Sequence, residues 1–373
     1  TRYGRPMYGL CLTIILFYMF ISLTAEITAM AKLVTLIAPI PLWVTAAIVL
    51  GATLIYTSYG GLKASIFTDK IQMLVILPLI GALIAFGWQA MGGITPTINA
   101  LQTEAPHLLS LTEISGIKSG LTFFVAILLT GLFHQGNWQR VYAAKDVPAM
   151  RRGFLLGGLL VAPFILIMGL FGLAFVAMTP EGDASVALFS VIGSVIPTWF
   201  VIALIPLGLS LVMSSADTAI SAVSSIIAVD LHRLNPAIPK ATLAKLSKRL
   251  VVVLALPVFA VSSQGYSVLY LFLFADLLCS AAAFPVFYGL YSRRVDGTTA
   301  TISTIGGLVA GLALFPAPNA PLTYLLESFV LAAVVPVVIT FILNAVRRNV
   351  APYDLQSLKH KIRGLDHSSS TVT

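Results

Sequence analysis

The chain has 373 residues, of which 58% are hydrophobic and 10% are charged, and its formal net charge is +8. This composition is too apolar for an ordinary soluble domain and predicts a membrane protein that crosses the bilayer several times. It also argues against a nucleic-acid partner, because such a protein needs a basic patch on a soluble surface and no soluble domain is visible.

Ten apolar runs predict the elements of this protein. A hydrocarbon core about 30 Å thick requires roughly 20 mainly apolar residues in a helix, since lipid offers no partner for exposed backbone groups. We predict helical spans at 8–36, 42–59, 66–90, 118–138, 153–178, 197–228, 247–263, 267–291, 299–315 and 322–345. The chain is therefore divided into a transmembrane domain over 1–345 and a polar C-terminal tail over 346–373.

The positive charges predict the orientation of these spans. Lysine and arginine accumulate in short cytoplasmic loops. With ten crossings, nearly all lysines and arginines fall on the same side of the membrane as the first residue, and only Lys32 and Lys118 lie clearly toward the other side. We expect a multi-pass protein of the plasma or inner membrane with both ends of this chain cytoplasmic. The chain begins abruptly in a short basic loop without a methionine, so we also expect an N-terminal truncation.

Ionisable residues within the predicted spans are candidates for function, because burying a charge in lipid is costly. They are Glu26, Lys32, Asp69, Lys70, His134, Asp217, Asp276 and Glu327. Lys32, Lys70 and Glu327 lie near span ends, where a long side chain can reach the interface. Glu26 lies near the middle of a span, where pairing with another helix and a functional role are both open. The two cysteines lie within spans, so neither a disulfide framework nor a metal cluster is expected.

The segment 211–230 carries one polar face. Residues 214, 217, 218, 221, 224 and 225 recur at helical spacing, and each is a serine, a threonine or Asp217. Single hydroxyls of this kind often bond to their own helix or permit close helix crossings. Asp217 cannot be satisfied in this way, so the cluster favours coordination of a cation. Hydroxyl and carboxylate oxygens are hard ligands that suit sodium rather than soft transition metals.

A second acidic residue follows a pair of glycines. Gly60 and Gly61 are predicted to end the second span in a sharp turn, after which Thr68, Asp69 and Gln72 share one face of the third. By depth, Asp69 could meet the inner half of the serine-rich helix.

Proline and glycine precede the serine-rich face. Pro206 removes a backbone hydrogen bond, and together with Gly208 it predicts a bend whose freed carbonyls could face an ion. Packing kinks explain most other prolines in membrane helices.

Three segments resemble the sodium:solute symporters, a family that includes the sodium–glucose, proline and sialic acid carriers. They are YTSYGGLKASIFTDKIQ (56–72), GNWQRVYAAKDVPAMRRG (136–153) and MSSADTAISAVSSIIAVDLHR (213–233), and they occur in the family's order. The resemblance covers nearly the whole chain.

The resemblance implies an all-α polytopic protein with the leucine-transporter-like inverted-repeat fold. On this mapping the chain starts at the third core helix, and its last two spans are peripheral. The first two core helices are missing, so we expect the fragment to be inactive alone.

The resemblance also implies sodium ligands. Ser214 and Ser215 occupy the positions of the family's paired hydroxyls, and Asp69 matches an acid that serves an additional sodium in some members. The partners of that acid would here be Asp217 and Thr218. Because a carboxylate replaces a hydroxyl at 217, the site could bind a cation more strongly or become sensitive to protons.

The solute contacts are predicted at a second place. The matching discontinuous helix is LTGLFHQGNWQR (129–140), where Gly131 and Gly136 permit an unwound turn around Phe133, His134 and Gln135. The aromatic ring could stack on a solute, whereas His134 could contact it or be satisfied between helices. Asp276 could recognise a cationic group of the solute or pair with His134.

The function that the resemblance implies, together with the polar residues of the spans, is sodium-coupled symport of a small polar solute by alternating access. Its partners would be that solute and the lipid bilayer, sodium would be the coupling ion, and no other cofactor is expected. A sensor or scaffold derived from a transporter is an alternative. An intramembrane hydrolase is another, although the chain lacks the motifs of such enzymes and would need Asp69 and Asp217 as an acid pair.

Overall fold

The computed structural model describes residues 2–178, 183–193, 196–234, 237–347 and 352–356. Over these residues the chain is helical and contains no strand. The α-helices are α1 (Gly4–Ile37), α2 (Leu42–Met91), α3 (Ile94–Glu104), α4 (Ile114–Thr130), α5 (Gln135–Ala143), α6 (Val147–Met178), α7 (Ala187–Ile192), α8 (Thr198–Leu234), α9 (Lys240–Ser262), α10 (Val268–Tyr288), α11 (Gly297–Leu314) and α12 (Leu325–Val346). Short 3-10 helices occupy Pro106–Leu109 and Ala184–Val186.

Seven helical stretches are long and apolar enough to cross a membrane, and α4 with α5 adds an eighth if this bent pair is one span. Two predicted spans, 42–59 and 247–263, are helical but do not meet the same test within the described residues. The first, Leu42–Thr57, is short, and α9 begins with a basic segment at Lys240. The count of ten crossings therefore stays a prediction. Most of the predicted tail 346–373 lies outside the described residues.

Helix α2 runs through Gly60 and Gly61 and has 50 residues, so it does not end at the glycines as predicted, whereas the predicted sharp turn agrees with its contacts. A straight helix of that length would measure about 75 Å, more than twice the hydrocarbon core. The contacts of α2 show that it is not straight. Asp69 meets Ser214, whereas the Tyr56 hydroxyl donates to the carbonyl of the adjacent Met213 at 3.0 Å. In a straight helix, Tyr56 would lie about 20 Å from Asp69 along the helix axis. The axis of α2 therefore bends sharply between Tyr56 and Ser65.

The chain forms two compact units, of which one comprises residues 20–116 and 155–271. Its apolar core lies between α2, α7 and α8, with Ile76 and Leu83 packed against Phe200, Leu204 and their neighbours. A close helix contact also occurs at Gly208, where an added Cβ would lie 2.7 Å from Leu33. Helix α8 is continuous through Pro206 and Gly208, and Gly208 admits the side chains of α1. The bend predicted at Pro206 stays a prediction.

The other unit comprises residues 1–19, 117–154 and 272–373. Here α11 and α12 pack closely, because a Cβ at Gly307 would lie 2.3 Å from Pro336 Cγ. Buried hydroxyls join the same pair of helices, and Thr340 donates to Ser303 at 2.9 Å. Arg2 holds the chain start against the loop between α10 and α11 by donating to the carbonyls of Gly289, Ser292 and Val295.

Candidate functional site

Asp217 is the centre of a polar cluster between α2 and α8. It is fully buried, and its carboxylate accepts hydrogen bonds from Ser65 at 2.8 Å and from Thr68 at 3.2 Å. The Tyr56 side chain is also within hydrogen-bond range of this carboxylate. Ser65 and Thr68 lie three residues apart on α2, so one helical face presents both hydroxyls to the same acid. The sharp bend of α2 brings Tyr56 to the same place.

Asp69 and Ser214 form the adjoining part of the cluster. The Ser214 hydroxyl donates to the Asp69 carboxylate at 2.5 Å. One turn further along α8, Thr218 donates to the Ser214 carbonyl at 2.9 Å and its hydroxyl lies 3.4 Å from Asp217. The structure therefore brings four of the five predicted sodium ligands together: Asp69, Ser214, Asp217 and Thr218. The two carboxylates are near enough for their charges to interact.

Ser215 stands apart from its neighbour. It is exposed, and its hydroxyl makes a long contact of 3.5 Å to the Leu211 carbonyl of its own helix. Adjacent residues of a helix point about 100° apart, which explains why Ser214 and Ser215 face different surroundings. Ser215 is instead within hydrogen-bond range of Glu26 on α1. Glu26 therefore lies near α8, and pairing with another helix and a functional role both stay open for it.

The cluster offers only oxygen atoms to a ligand. They come from two carboxylates and five hydroxyls, those of Asp69, Asp217, Tyr56, Ser65, Thr68, Ser214 and Thr218. Groups of three or more His, Cys, Asp or Glu that could hold a transition metal are absent from the described residues. An all-oxygen set of this kind suits a hard monovalent or divalent cation.

The charge of Asp217 has no cationic partner among the residues that the structure describes. Hydroxyls stabilise a buried carboxylate by hydrogen bonding but do not neutralise it. A cation or a proton at this cluster would remove the imbalance. By contrast, two charged residues near span ends are paired, Lys32 with Asp183 at 2.8 Å and Glu327 with Lys118 at 2.5 Å.

The predicted discontinuous helix is confirmed. The helix α4 ends at Thr130, α5 begins at Gln135, and the two axes differ by 48°. Gln135 is therefore the first residue of α5 rather than part of the unwound turn. His134 caps α5 by accepting from the backbone N–H of Asn137 at 3.3 Å.

The aromatic and acidic residues near this break are buried in their own unit. Phe133 is 3% exposed and packs edge-on against Phe287. Asp276 on α10 is also buried, and its carboxylate is within hydrogen-bond range of Thr130, the last residue of α4. The alternative pairing of Asp276 with His134 is not seen among the described contacts, where His134 meets Asn137 and the ring of Tyr18. Thr130 places Asp276 directly beside the helix break.

The chain is similar to known proteins over most of its length. A family model described as the sodium:solute symporter family matches residues 1–307. The chain belongs to this family. The predicted resemblance is confirmed, and the family is one of membrane transporters rather than enzymes.

The relatives of this chain are named as symporters or cotransporters of different solutes. The chain is 30% identical to the sodium/pantothenate symporter of Escherichia coli over 166 residues, which are 43% of this chain and 34% of that protein. It is 29% identical to the sodium/pantothenate symporter of Haemophilus influenzae over 68% of this chain and 54% of that protein. The human sodium/myo-inositol cotransporter 2 is 23% identical over 79% of this chain and 50% of that protein. The chain thus spans about half, or less, of the length of these relatives.

A solved structure shares the fold. It is a Na+-coupled sialic acid symporter in a substrate-bound outward-open state, with a TM-score of 0.75 and 18% identity over 95% of this chain and 76% of that chain. At this level of identity the likeness concerns the fold alone. It confirms the predicted all-α, leucine-transporter-like fold class.

The ligand roles of the individual residues stay predictions, and the geometry adds two residues to them. Ser65 was not among the predicted ligands, although its spacing of four from Asp69 puts it on the same helical face. Helical spacing does not indicate Tyr56, because its place in the cluster depends on the bend of α2, for which the predicted sharp turn at Gly60 and Gly61 was the available signal.

Proposed function

We propose that this protein carries out sodium-coupled symport of a small polar solute by alternating access. The observation that supports it most strongly is the fully buried Asp217, which is surrounded by hydroxyls and lies on the polar face of a largely apolar helix. A carboxylate held in this way favours a bound cation, and membership of the sodium:solute symporter family makes sodium the proposed ion.

The proposed sodium ligands are Asp217, Asp69, Ser214 and Thr218, with Ser65 added from the geometry. They come from two helices, so a cation between them links α2 to α8. Coupling requires that the ion bind one conformation more tightly than another. The contact between α2 and α8 would supply this difference if the two helices separate when the ion leaves. Ser215 remains a proposed ligand from the resemblance, although it lies outside the cluster.

A proton is the other cation that Asp217 could take. Replacement of sodium by choline at constant pH distinguishes the two, because a sodium site loses occupancy under that change and a proton site does not. We propose sodium, since two carboxylates together with several hydroxyls can supply the multiple oxygen ligands that a metal cation needs.

The solute is proposed to bind beside the break between α4 and α5. Phe133, His134, Gln135 and Asp276 are the proposed contacts, and the buried Asp276 carboxylate would accept hydrogen bonds from solute hydroxyl or ammonium groups. We further propose that the protein resides in the plasma or inner membrane with both ends of the chain cytoplasmic, as the positive charges indicate.

Uptake into proteoliposomes tests this function. The protein, prepared as the 373-residue chain and as the complete reading frame that encodes it, is given labelled pantothenate, myo-inositol, glucose or sialic acid. A sodium gradient should drive accumulation of one of these by the product of the complete reading frame, and potassium in place of sodium should abolish it, whereas the 373-residue chain alone is proposed to be inactive. Asp276→Asn should raise the KM for the solute and leave the sodium dependence unchanged. Uptake that persists unchanged without sodium and without a proton gradient would disprove coupling.

A transporter-derived sensor would give a different result. It would bind sodium with the same dependence on Asp217 but show no uptake of any solute under either condition. The two measurements together therefore separate transport from ligand sensing.

A further inference from the structure

A basic cavity lies at the end of α12, remote in sequence from the residues of the proposed sodium site. It has a volume of about 750 Å³ and is lined by Arg293, Arg294, Phe341, Asn344, Ala345, Arg347 and Pro352. The loop between α10 and α11 supplies the first two arginines, and α12 with the residues after it supplies the rest. The cavity therefore lies where helices end, on the membrane side predicted to be cytoplasmic.

The cavity carries an excess of positive charge. Arg293 and Arg294 are exposed, and neither forms an ion pair among the described residues. Arg347 is held by Asp296, whose carboxylate is 3.0 Å from Nη1, and by the Thr299 hydroxyl at 3.2 Å. A guanidinium has five N–H donors, so this pairing leaves donors of Arg347 for a ligand. Three arginines against one carboxylate attract an anion.

The position of Arg347 is fixed by the sequence around Asp296. Asp296 caps α11 by accepting from the backbone N–H of Thr299 at 2.9 Å, and the same carboxylate orients Arg347. Tyr353 is held as well, since its N–H donates to the Arg293 carbonyl at 2.8 Å and the Arg2 guanidinium lies 4.2 Å from its ring centroid. The walls of the cavity are thus held before any ligand binds.

Asn344 favours a ligand that, besides its negative charge, carries a hydrogen-bond donor. Its side-chain Oδ1 is buried and has no hydrogen-bond partner within the part of the chain that the structure describes. A buried amide oxygen without a partner is costly, and a ligand hydroxyl can donate to it. A hydroxyl also suits the amide in its flipped orientation, because it can accept as well as donate. The ligand should therefore carry a hydroxyl close to its negative charge.

One wall of the cavity is apolar and continues into the lipid-facing surface of α12. Phe341 is 51% exposed, and Val338 and Ile342 beside it are exposed to a similar extent. A free phosphate ion would gain nothing from this wall, whereas the acyl chains of a lipid can lie along it. Basic pockets at the ends of membrane helices are suited to anionic lipid headgroups.

We propose that this cavity binds the headgroup of an anionic phospholipid whose phosphodiester carries a hydroxylated substituent, as in phosphatidylglycerol. Arg293, Arg294 and Arg347 contact the phosphate, Asn344 contacts the headgroup hydroxyl, and Phe341 lies against the acyl chains. This site is independent of the proposed transport function.

Native mass spectrometry of the protein in detergent, titrated with phosphatidylglycerol, tests the site. The double variant Arg293→Gln/Arg294→Gln should weaken binding of this lipid by about thirty-fold, as the loss of two charges near an anionic lipid implies. The control is Arg151→Gln/Arg152→Gln, which removes two adjacent exposed arginines at the start of α6. Equal binding by the Arg293/Arg294 variant and the wild type would overturn the proposal, as would an equal loss in the control.

Two further arms identify the headgroup. Wild-type protein should prefer phosphatidylglycerol to phosphatidic acid, which lacks the glycerol substituent, and Asn344→Ala should remove this preference while retaining binding of both lipids. Inorganic phosphate should not displace phosphatidylglycerol. Displacement by inorganic phosphate would instead assign the cavity to a free anion and refute the lipid site. Size-exclusion profiles identical to that of the wild type establish that each variant is folded.

Discussion

Replacing Asp217 by asparagine separates a carboxylate that binds a cation from one that only stabilises the fold. Asparagine keeps the shape of the side chain and one oxygen that can accept from Ser65 or Thr68, its NH2 group can donate to the other hydroxyl, and the charge is removed. A buried carboxylate without a cation carries a desolvation cost of several kcal/mol, which its hydrogen bonds offset only in part. The variant should therefore be at least as stable as the wild type when sodium is absent.

The size of the sodium effect follows from the contacts. An interaction with a charged group contributes about 1.5–3 kcal/mol, so loss of the Asp217 charge should weaken sodium binding by roughly 10-fold to 150-fold. At a sodium concentration about 100 times the wild-type Kd, binding stabilises the wild type by about 2.7 kcal/mol. At roughly 2 °C per kcal/mol, this raises its Tm by about 5 °C. A variant with about 100-fold weaker binding gains only about 0.4 kcal/mol, which is less than 1 °C.

The assay is thermal unfolding followed by tryptophan emission, with sodium replaced by choline at constant ionic strength. Asp183→Asn serves as the control, because it removes one carboxylate from a surface loop of the same unit. The control should keep the sodium-dependent rise in Tm. If Asp217→Asn keeps the full rise, or if Asp183→Asn loses it to the same extent, the assignment of the cation to this cluster is wrong.

Three further predictions test other parts of the structure. Ser214→Ala should weaken sodium binding more than Ser215→Ala in isothermal titration, because only Ser214 donates to an acid of the cluster, and equal losses would contradict this geometry. Gly307→Ala should destabilise the protein by about 1–3 kcal/mol through overpacking. Gly157→Ala is the control, because nothing lies within 4 Å of the new Cβ, and it should leave the Tm unchanged or slightly raised. Equal effects of the two variants on the Tm would argue against close packing of α11 and α12. Partial burial tends to raise the pKa of Asp183, but the hydrogen bonds from Lys32 and from Ser185 outweigh this and hold the pKa below its ordinary value of 3.8. The Lys32–Asp183 pair should thus contribute up to about 1 kcal/mol to the free energy of unfolding, fully present above pH 5 and lost as the pH falls below 4. An Asp183→Asn variant whose Tm differs from that of the wild type by the same amount above pH 5 and below pH 4 would refute this.

The polar face of α8 could be predicted because helical periodicity is a local property. Ser214, Asp217 and Thr218 recur at spacings of three and four, and the structure places all of them toward α2. The family resemblance then supplied Asp69 as the partner from another helix. The same periodicity would have included Ser65, had the segment after the glycines been treated as helical throughout.

The remaining features depend on contacts that are distant in sequence. Tyr56 reaches the cluster only because α2 bends, and periodicity contains no information on the direction of a helix axis. Ser215 was grouped with Ser214 by resemblance, whereas neighbouring residues of a helix face different surroundings. Gly208 is a further case, since its close approach to Leu33 of α1 is a contact distant in sequence that the local pattern around Pro206 does not contain.

The hydroxyls around Asp217 have a consequence for the speed of ion exchange. Each hydroxyl can rotate about its own C–O bond, so that it donates to the carboxylate when the cluster is empty and turns a lone pair toward a cation when one arrives. The hydrogen-bonding groups can then exchange one role for the other by motions of side chains alone, which take picoseconds to nanoseconds, far faster than the movement of a helix. In the proposed transport cycle, entry of the ion and movement of the helices would thereby be separate events, and the slower helix motion would set the pace.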